Sequence, residues 1–141
     1  MVRKINKEDA ESIAVICEST LNHKTSKTLI KKRIEELDNN NNYYLAVYDD
    51  GSVSGFIQAE EYTLLYGEKG FNIISLAVAK EKQNKGYGKA LLKSLEDYAK
   101  GCGCTFIRLN SRIERENAHA FYLHLGYECD KTQKRFIKYI K

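Results

Sequence analysis

Residues 71–109 constrain the fold more than any other stretch. Phe71–Val78 (FNIISLAV) is apolar on both faces of a two-residue period, as expected of a strand buried on two sides. The decapeptide QNKGYGKALL, residues 83–92, comes next; Leu91, Leu92, Leu95, Tyr98 and Ala99 then form one face of a helix. Lys100 and Gly101 make a C-terminal stop for that helix, and Thr105–Leu109 reads as extended again. A strand, a helix and a second strand in this order imply a β-α-β crossover.

The flanks add further elements. Val2–Ile5 reads as a short strand, and Asn6 can cap the segment after it, with Asp9 three residues on. Ile13, Ile16, Cys17 and Leu21 keep helical spacing, and Ser26 can cap a second helix striped by Ile30, Ile34 and Leu37. Tyr43–Tyr48 and Val53–Glu60 flank Asp49-Asp50-Gly51, a hairpin signal. Glu116–Leu125 reads as a helix closed by Gly126, and Tyr127–Cys129 and Arg135–Ile140 as two final strands. The order β-α-α-β-β-β-α-β-α-β-β predicts an α+β fold, a mixed and mostly antiparallel sheet flanked by helices. The 141 residues fit one domain, 1–141.

Composition narrows the function. With 43% hydrophobic and 30% charged residues the chain reads as globular. A net charge of +4 suits a small anionic ligand, but the lysines are dispersed and no RNP or helix-turn-helix signature appears. Nucleic acid is therefore not an expected partner. No apolar run approaches the ~18 residues of a membrane span, and Val2–Lys7 turns charged too early for a signal peptide, so a cytoplasmic protein is expected. Of Cys17, Cys102, Cys104 and Cys129 only two are close, as C-x-C rather than a zinc pair. Reduced thiols and no metal are expected.

The glycine stretch lies where an anion site should lie, between a buried strand and the first turn of a helix. The first N–H groups of a helix lack partners within it, and the helix dipole adds positive character. Gly86 and Gly88 let backbone approach a bulky phosphate, and Lys85 and Lys89 add charge. The spacing is not that of G-x-x-x-x-G-K-[ST], and Leu91 stands where G-x-G-x-x-G needs its third glycine. A plain turn with a helix cap explains these ten residues almost as well.

Gln83-Asn84-Lys85-Gly86-Tyr87-Gly88 also matches [RQ]-x-x-G-x-[GA]. Downstream stand Arg115-Glu116-Asn117-Ala118-His119-Ala120-Phe121-Tyr122 and Gly126-Tyr127. In this order, behind Ile74–Val78, the motifs resemble those of the GNAT N-acetyltransferase superfamily, over nearly the whole chain. The resemblance implies acetyl-coenzyme A as cosubstrate and direct transfer of its acetyl group to a primary amine. It places the pantetheine arm along Leu76, Ala77 and Val78, and the pyrophosphate on the N–H groups of Asn84, Lys85, Gly86, Tyr87, Gly88 and Lys89, with Gln83 in the place of the leading Arg/Gln, a hydrogen-bond donor without charge. Arg115 or Asn117 would supply a further coenzyme contact. Tyr122 would be the general acid, protonating the departing thiolate. Lys80 departs from a frequent proline, and the chain has no proline at all.

The amine's base is less defined. Glu60 or Glu61 ends the strand before Phe71–Val78, and alternation puts only one of them on the ligand face. The acceptor pocket implied by the resemblance, roughly residues 21–32 and 61–71 with Glu60 at its edge, carries Glu60, Glu61 and Glu68 beside Tyr62 and Tyr66, a composition suited to a cationic amine. The expected acceptor is a small-molecule or peptide amine whose identity the sequence does not give, and a homodimer is the assembly considered. The alternative is a non-catalytic acyl-coenzyme A-binding or regulatory protein of the same fold. His119 reads mainly as structural.

Overall fold

The computed structural model describes residues 1–141, which fall into two compact units, Met1–Asn110 and Ser111–Lys141. The first unit holds β1 (Val2–Lys4), α1 (Ala10–Leu21), α2 (Lys27–Leu37), β2 (Tyr43–Asp49), β3 (Val53–Thr63), β4 (Lys69–Val78), α3 (Tyr87–Gly101) and β5 (Phe106–Leu109). The strands follow in chain order, β1-β2-β3-β4-β5. All neighbours are antiparallel except β4 and β5, which run parallel because α3 carries the chain back between them.

Alternation gives the sheet two apolar faces. On one, Ile13 and Ile16 of α1 and Ile34 of α2 pack with Val47, Phe56 and Ala77. On the other lie Leu91, Leu92 and Leu95 of α3, each fully buried, while Tyr98 meets the rings of Tyr44 and Phe71. Burying one such leucine contributes about 1.5–3 kcal/mol. The helix ends where glycine permits it. Gly103 adopts φ +77°, Gly103 N–H donates to the Lys100 carbonyl at 3.1 Å and Cys104 N–H to that of Ala99 at 2.9 Å, a Schellman closure. The stop thus falls at Gly103 rather than at Gly101, which is still helical.

The entry to α1 is fixed by charge. Asp9 is buried, and its carboxylate accepts two hydrogen bonds from the Arg3 guanidinium, at 2.8 and 2.9 Å, and one from the Asn6 N–H at 2.9 Å. The anticipated capping box is therefore present. Asp9→Ala leaves Arg3 and the Asn6 N–H short of their acceptor. We expect it to destabilise the fold by about 2–3 kcal/mol, less than for a wholly buried pair because Arg3 is partly exposed. A urea titration with unchanged slope and a lowered midpoint checks this.

The second unit holds α4 (Glu116–His124). Residues 128–141 carry no helix or strand, so Tyr127–Cys129 and Arg135–Ile140 are not the two final strands expected from the sequence. A strand persists through its ladder partner, and neither run has one; Phe136, Tyr139 and Ile140 stand exposed. Their connection, Asp130–Lys134, has no glycine to form a tight hairpin turn. The α+β class and the mostly antiparallel sheet are as anticipated.

Candidate active site

The glycine segment opens α3 in an unusual backbone state. Asn84 and Gly86 both have positive φ, +65° and +85°, and Gly86 is the N-cap without a side-chain hydrogen bond. The first helical bond is Ala90 N–H to the Gly86 carbonyl, 3.0 Å. The N–H groups of Tyr87, Gly88 and Lys89 precede it and lack an intrahelical acceptor. Asn84, Lys85, Gly86 and Lys89 are exposed, so this end of the dipole faces outward. Nothing lies within 4 Å of a Cβ built at Gly86. Open N–H donors, a glycine turn and two lysines fit a phosphate group.

Gln83 joins this segment to β4. Its Nε2 donates to the Val78 carbonyl at 3.0 Å, and Thr20 Oγ1 of α1 donates to the same oxygen at 3.3 Å. The β4–β5 ladder covers only Gly70–Ile73. Leu76, Ala77 and Val78 lie beyond it, paired with Ile57, Phe56 and Gly55 of β3 on the other side. A register shift at Gln58/Ala59 leaves Ile74 as a bulge in β4. The fold thereby brings together the strand end and the glycine turn singled out in the sequence.

Asp50, legible in the sequence only as a turn residue, ties the β2–β3 hairpin to the glycine turn. Its carboxylate accepts from Lys82 Nζ at 2.7 Å, Tyr87 Oη at 2.9 Å and Ser54 Oγ at 2.9 Å. The Tyr87 ring stacks on Tyr48, centroids 3.9 Å apart. Tyr87 is the middle residue of Gly-Tyr-Gly, so its side chain anchors the turn while its backbone stays open. The bonds from Lys82, Tyr87 and Ser54 hold the Asp50 carboxyl well below the usual carboxylate range. A depressed carboxyl stabilises above its unfolded pKa of about 3.9 and loses that contribution as pH falls through the folded value. For Asp50→Ala we expect amide exchange at Gln83 and Ala90, the hydrogen-bonded amides that flank the turn, to rise about 10-fold at neutral pH, with the sheet amides unchanged. Exchange mass spectrometry reads this. The Asp-Gly hairpin signal masked the residue's second role.

The two candidate carboxylates separate. Glu60 pairs with Tyr43 and Asn72 and shares a face with Phe56, the face covered by α1 and α2. Glu61 pairs with Phe71, whose ring meets Tyr98 of α3, so Glu61 is on the opposite face. There it lies 3.8 Å from Lys69 Nζ and accepts from Thr63 Oγ1 at 3.1 Å.

Arg115, Asn117 and Tyr122 belong to the second unit. Arg115 is the N-cap of α4 and Asn117 is exposed in its first turn. The helix closes as α3 does: Gly126 has φ +92°, Gly126 N–H donates to the Leu123 carbonyl at 3.1 Å and Tyr127 N–H to that of Tyr122 at 3.0 Å. The Tyr127 ring then contacts Tyr122, centroids 5.6 Å apart, and Phe121 lies at 5.1 Å. Gly126-Tyr127 is thus a device that fixes Tyr122. Burial pushes the Tyr122 hydroxyl up to about 12, against a lowering by Arg115. His119 Nε2–H donates to the Arg112 carbonyl at 2.8 Å, a structural bond.

Residues 7–127 match the acetyltransferase (GNAT) family. The chain belongs to the GNAT acetyltransferase family. An uncharacterized N-acetyltransferase of Methanocaldococcus jannaschii is 37% identical over 97 residues, 68% of this GNAT chain and 58% of the relative. The chain thus spans less than two thirds of that relative's length. The aminoalkylphosphonate N-acetyltransferase of Salmonella typhimurium is 28% identical over 139 residues, 97% of this chain and 89% of the relative. A transcriptional regulator from Bacillus halodurans shares the fold, with TM-score 0.86 and 19% identity over 98% of this chain and 99% of the other. No helix of the GNAT chain is long and apolar enough to cross a membrane.

Proposed function

We propose that this chain transfers the acetyl group of acetyl-coenzyme A to a primary amine. The observation that carries the reading is the glycine turn: open first-turn N–H groups at α3, held to the end of β4 through Gln83 and Val78. Asn84–Lys89 bind the pyrophosphate, with Lys85 and Lys89 contributing charge. Leu76–Val78 pair with the pantetheine arm. Arg115 reaches a phosphate of the coenzyme, or Asn117 adds a polar contact to the coenzyme.

Acetyl-coenzyme A supplies an activated acyl carbon and a thiol leaving group. The amine nitrogen forms a bond to that carbon and the carbon–sulfur bond breaks. Tyr122 gives its hydroxyl proton to the thiolate; support comes from its place in the motif and its protonated state at neutral pH. Glu60 takes the proton from the ammonium. An amine of pKa about 10.4 is free in only about one molecule per few thousand at pH 7, so this step needs an acceptor. The Salmonella relative's acceptor, an amine that bears a phosphonate, belongs in the panel of amines to be tried.

Thiol release from acetyl-coenzyme A over that panel tests the reading. Turnover with at least one amine is expected. Tight coenzyme binding without turnover on any amine would instead favour a non-catalytic acyl-coenzyme A-binding protein.

A further inference from the structure

Resting on acetyl transfer as proposed above, the geometry points to an acceptor that carries an anionic group, phosphonate or carboxylate, beside its amine, with Glu60 facing the amine and Arg108 the anion. Tyr43, Glu60, Asn72 and Arg108 are successive cross-strand partners over β2, β3, β4 and β5. Cross-strand partners share a face, so the row lies on the side of the sheet that α1 and α2 cover.

Within the row the Asn72 amide separates an acid from a base. Its Nδ2 donates to Glu60 Oε1 at 3.4 Å, while its Oδ1 accepts from the Arg108 guanidinium. Arg108 also donates to Asn110 Oδ1 at 2.9 Å and lies over the Tyr62 ring, 4.9 Å from its centroid. These contacts fix the guanidinium plane and use two of its five N–H donors, leaving others for an anion. Neither Glu60 nor Arg108 takes part in any of the ion pairs within 4.0 Å. Two opposite charges thus share one face, each lacking a charged partner, on strands flanking the one between them at about 4.8 Å spacing.

The place of the row ties it to the acetyl-transfer site. Asn72 and Arg108 sit one residue before the last β4–β5 pair, Ile73 and Leu109. Beyond it come the Ile74 bulge and the half of β4 assigned to the pantetheine arm. A simple amine completes Glu60 alone. An amine with an acidic group a few atoms away completes both charges, and a planar guanidinium accepts either phosphonate or carboxylate bidentately.

The test compares 2-aminoethylphosphonate, β-alanine and the neutral ethanolamine as acceptors. Wild type is expected to show a kcat/KM for at least one anionic amine about 10–100-fold above that for ethanolamine, and the two anionic arms separate phosphonate from carboxylate. Arg108→Gln is expected to collapse that ratio, and Arg108→Lys to restore part of it. A ratio within one variant is insensitive to a general loss of folded protein. Equal use of the three amines by wild type, or a ratio untouched by Arg108→Gln, overturns the inference while leaving acetyl transfer intact. If no amine is turned over, calorimetric titration of the two anionic amines into the coenzyme A-loaded protein decides. Binding of at least one, weakened in Arg108→Gln, supports the inference, and absence of both overturns it.

Discussion

Tyr122→Phe is expected to lower kcat on the order of 10²–10⁴-fold while coenzyme affinity stays within about 2-fold. The substitution removes one oxygen and keeps the ring, so the packing on Phe121 and Tyr127 is preserved. What is lost is the proton donor for the thiolate. The pH profile supplies a second readout. A donor acts only while protonated, and burial pushes the Tyr122 hydroxyl up to about 12. Its contribution is therefore full at neutral pH and declines only as pH rises towards that value. The amine works in the opposite sense, becoming reactive as it deprotonates. Wild-type kcat/KM should climb from pH 6 to 9 with no descending limb from Tyr122 in that range. Single-turnover kinetics separates the chemical step from product release. Undiminished turnover in Tyr122→Phe sinks the general-acid assignment.

Much of the architecture is legible in the sequence, and the reasons are local. Asn6 with Asp9, Ser26, and the Asp-Gly turn each write their structure into adjacent residues, and all three form where they are written. The crossover from β4 to β5 comes from an apolar run, a helical stripe and a second apolar run. What the sequence hides is pairing at a distance. Arg135–Ile140 is rich in the aromatic and β-branched residues that strands favour, but no ladder partner is encoded in its own six residues, and none is present. Asp50 reads as half of a turn because Lys82 and Tyr87, 32 and 37 residues on, are invisible to local pattern. Alternation states that Glu60 and Glu61 face opposite ways. Only the contacts of Phe56 with α1 and of Phe71 with Tyr98 say which way is which. The role of Gly126-Tyr127 is legible as a motif but not as a cause. The cause is the closure that sets Tyr127 against Tyr122.

Gly86→Glu separates the two explanations of QNKGYGKALL, a ligand seat and a bare helix cap. A bare cap predicts a modest effect of the substitution. Gly86 has φ +85°, so any L-residue there costs about 1–2 kcal/mol of backbone strain. A Cβ at that position meets nothing within 4 Å, so no steric clash adds to it and the domain stays folded. A pyrophosphate seat predicts far more. A carboxylate about 4–5 Å from a bound phosphate, at an effective dielectric constant of about 20–40, opposes binding by about 2–4 kcal/mol. Coenzyme A affinity should then fall on the order of 10²-fold or more. Gly86→Ala supplies the strain without the charge and should lose only a few-fold. Calorimetric titration of coenzyme A into the three proteins, alongside thermal melts, reads both terms. Equal affinity in wild type and Gly86→Glu would leave the turn as a helix cap and move the coenzyme elsewhere. A loss shared equally by the alanine and glutamate variants would assign the effect to backbone geometry. The expected pattern, a small loss for alanine and a large one for glutamate, requires a negatively charged group at the N-terminus of α3.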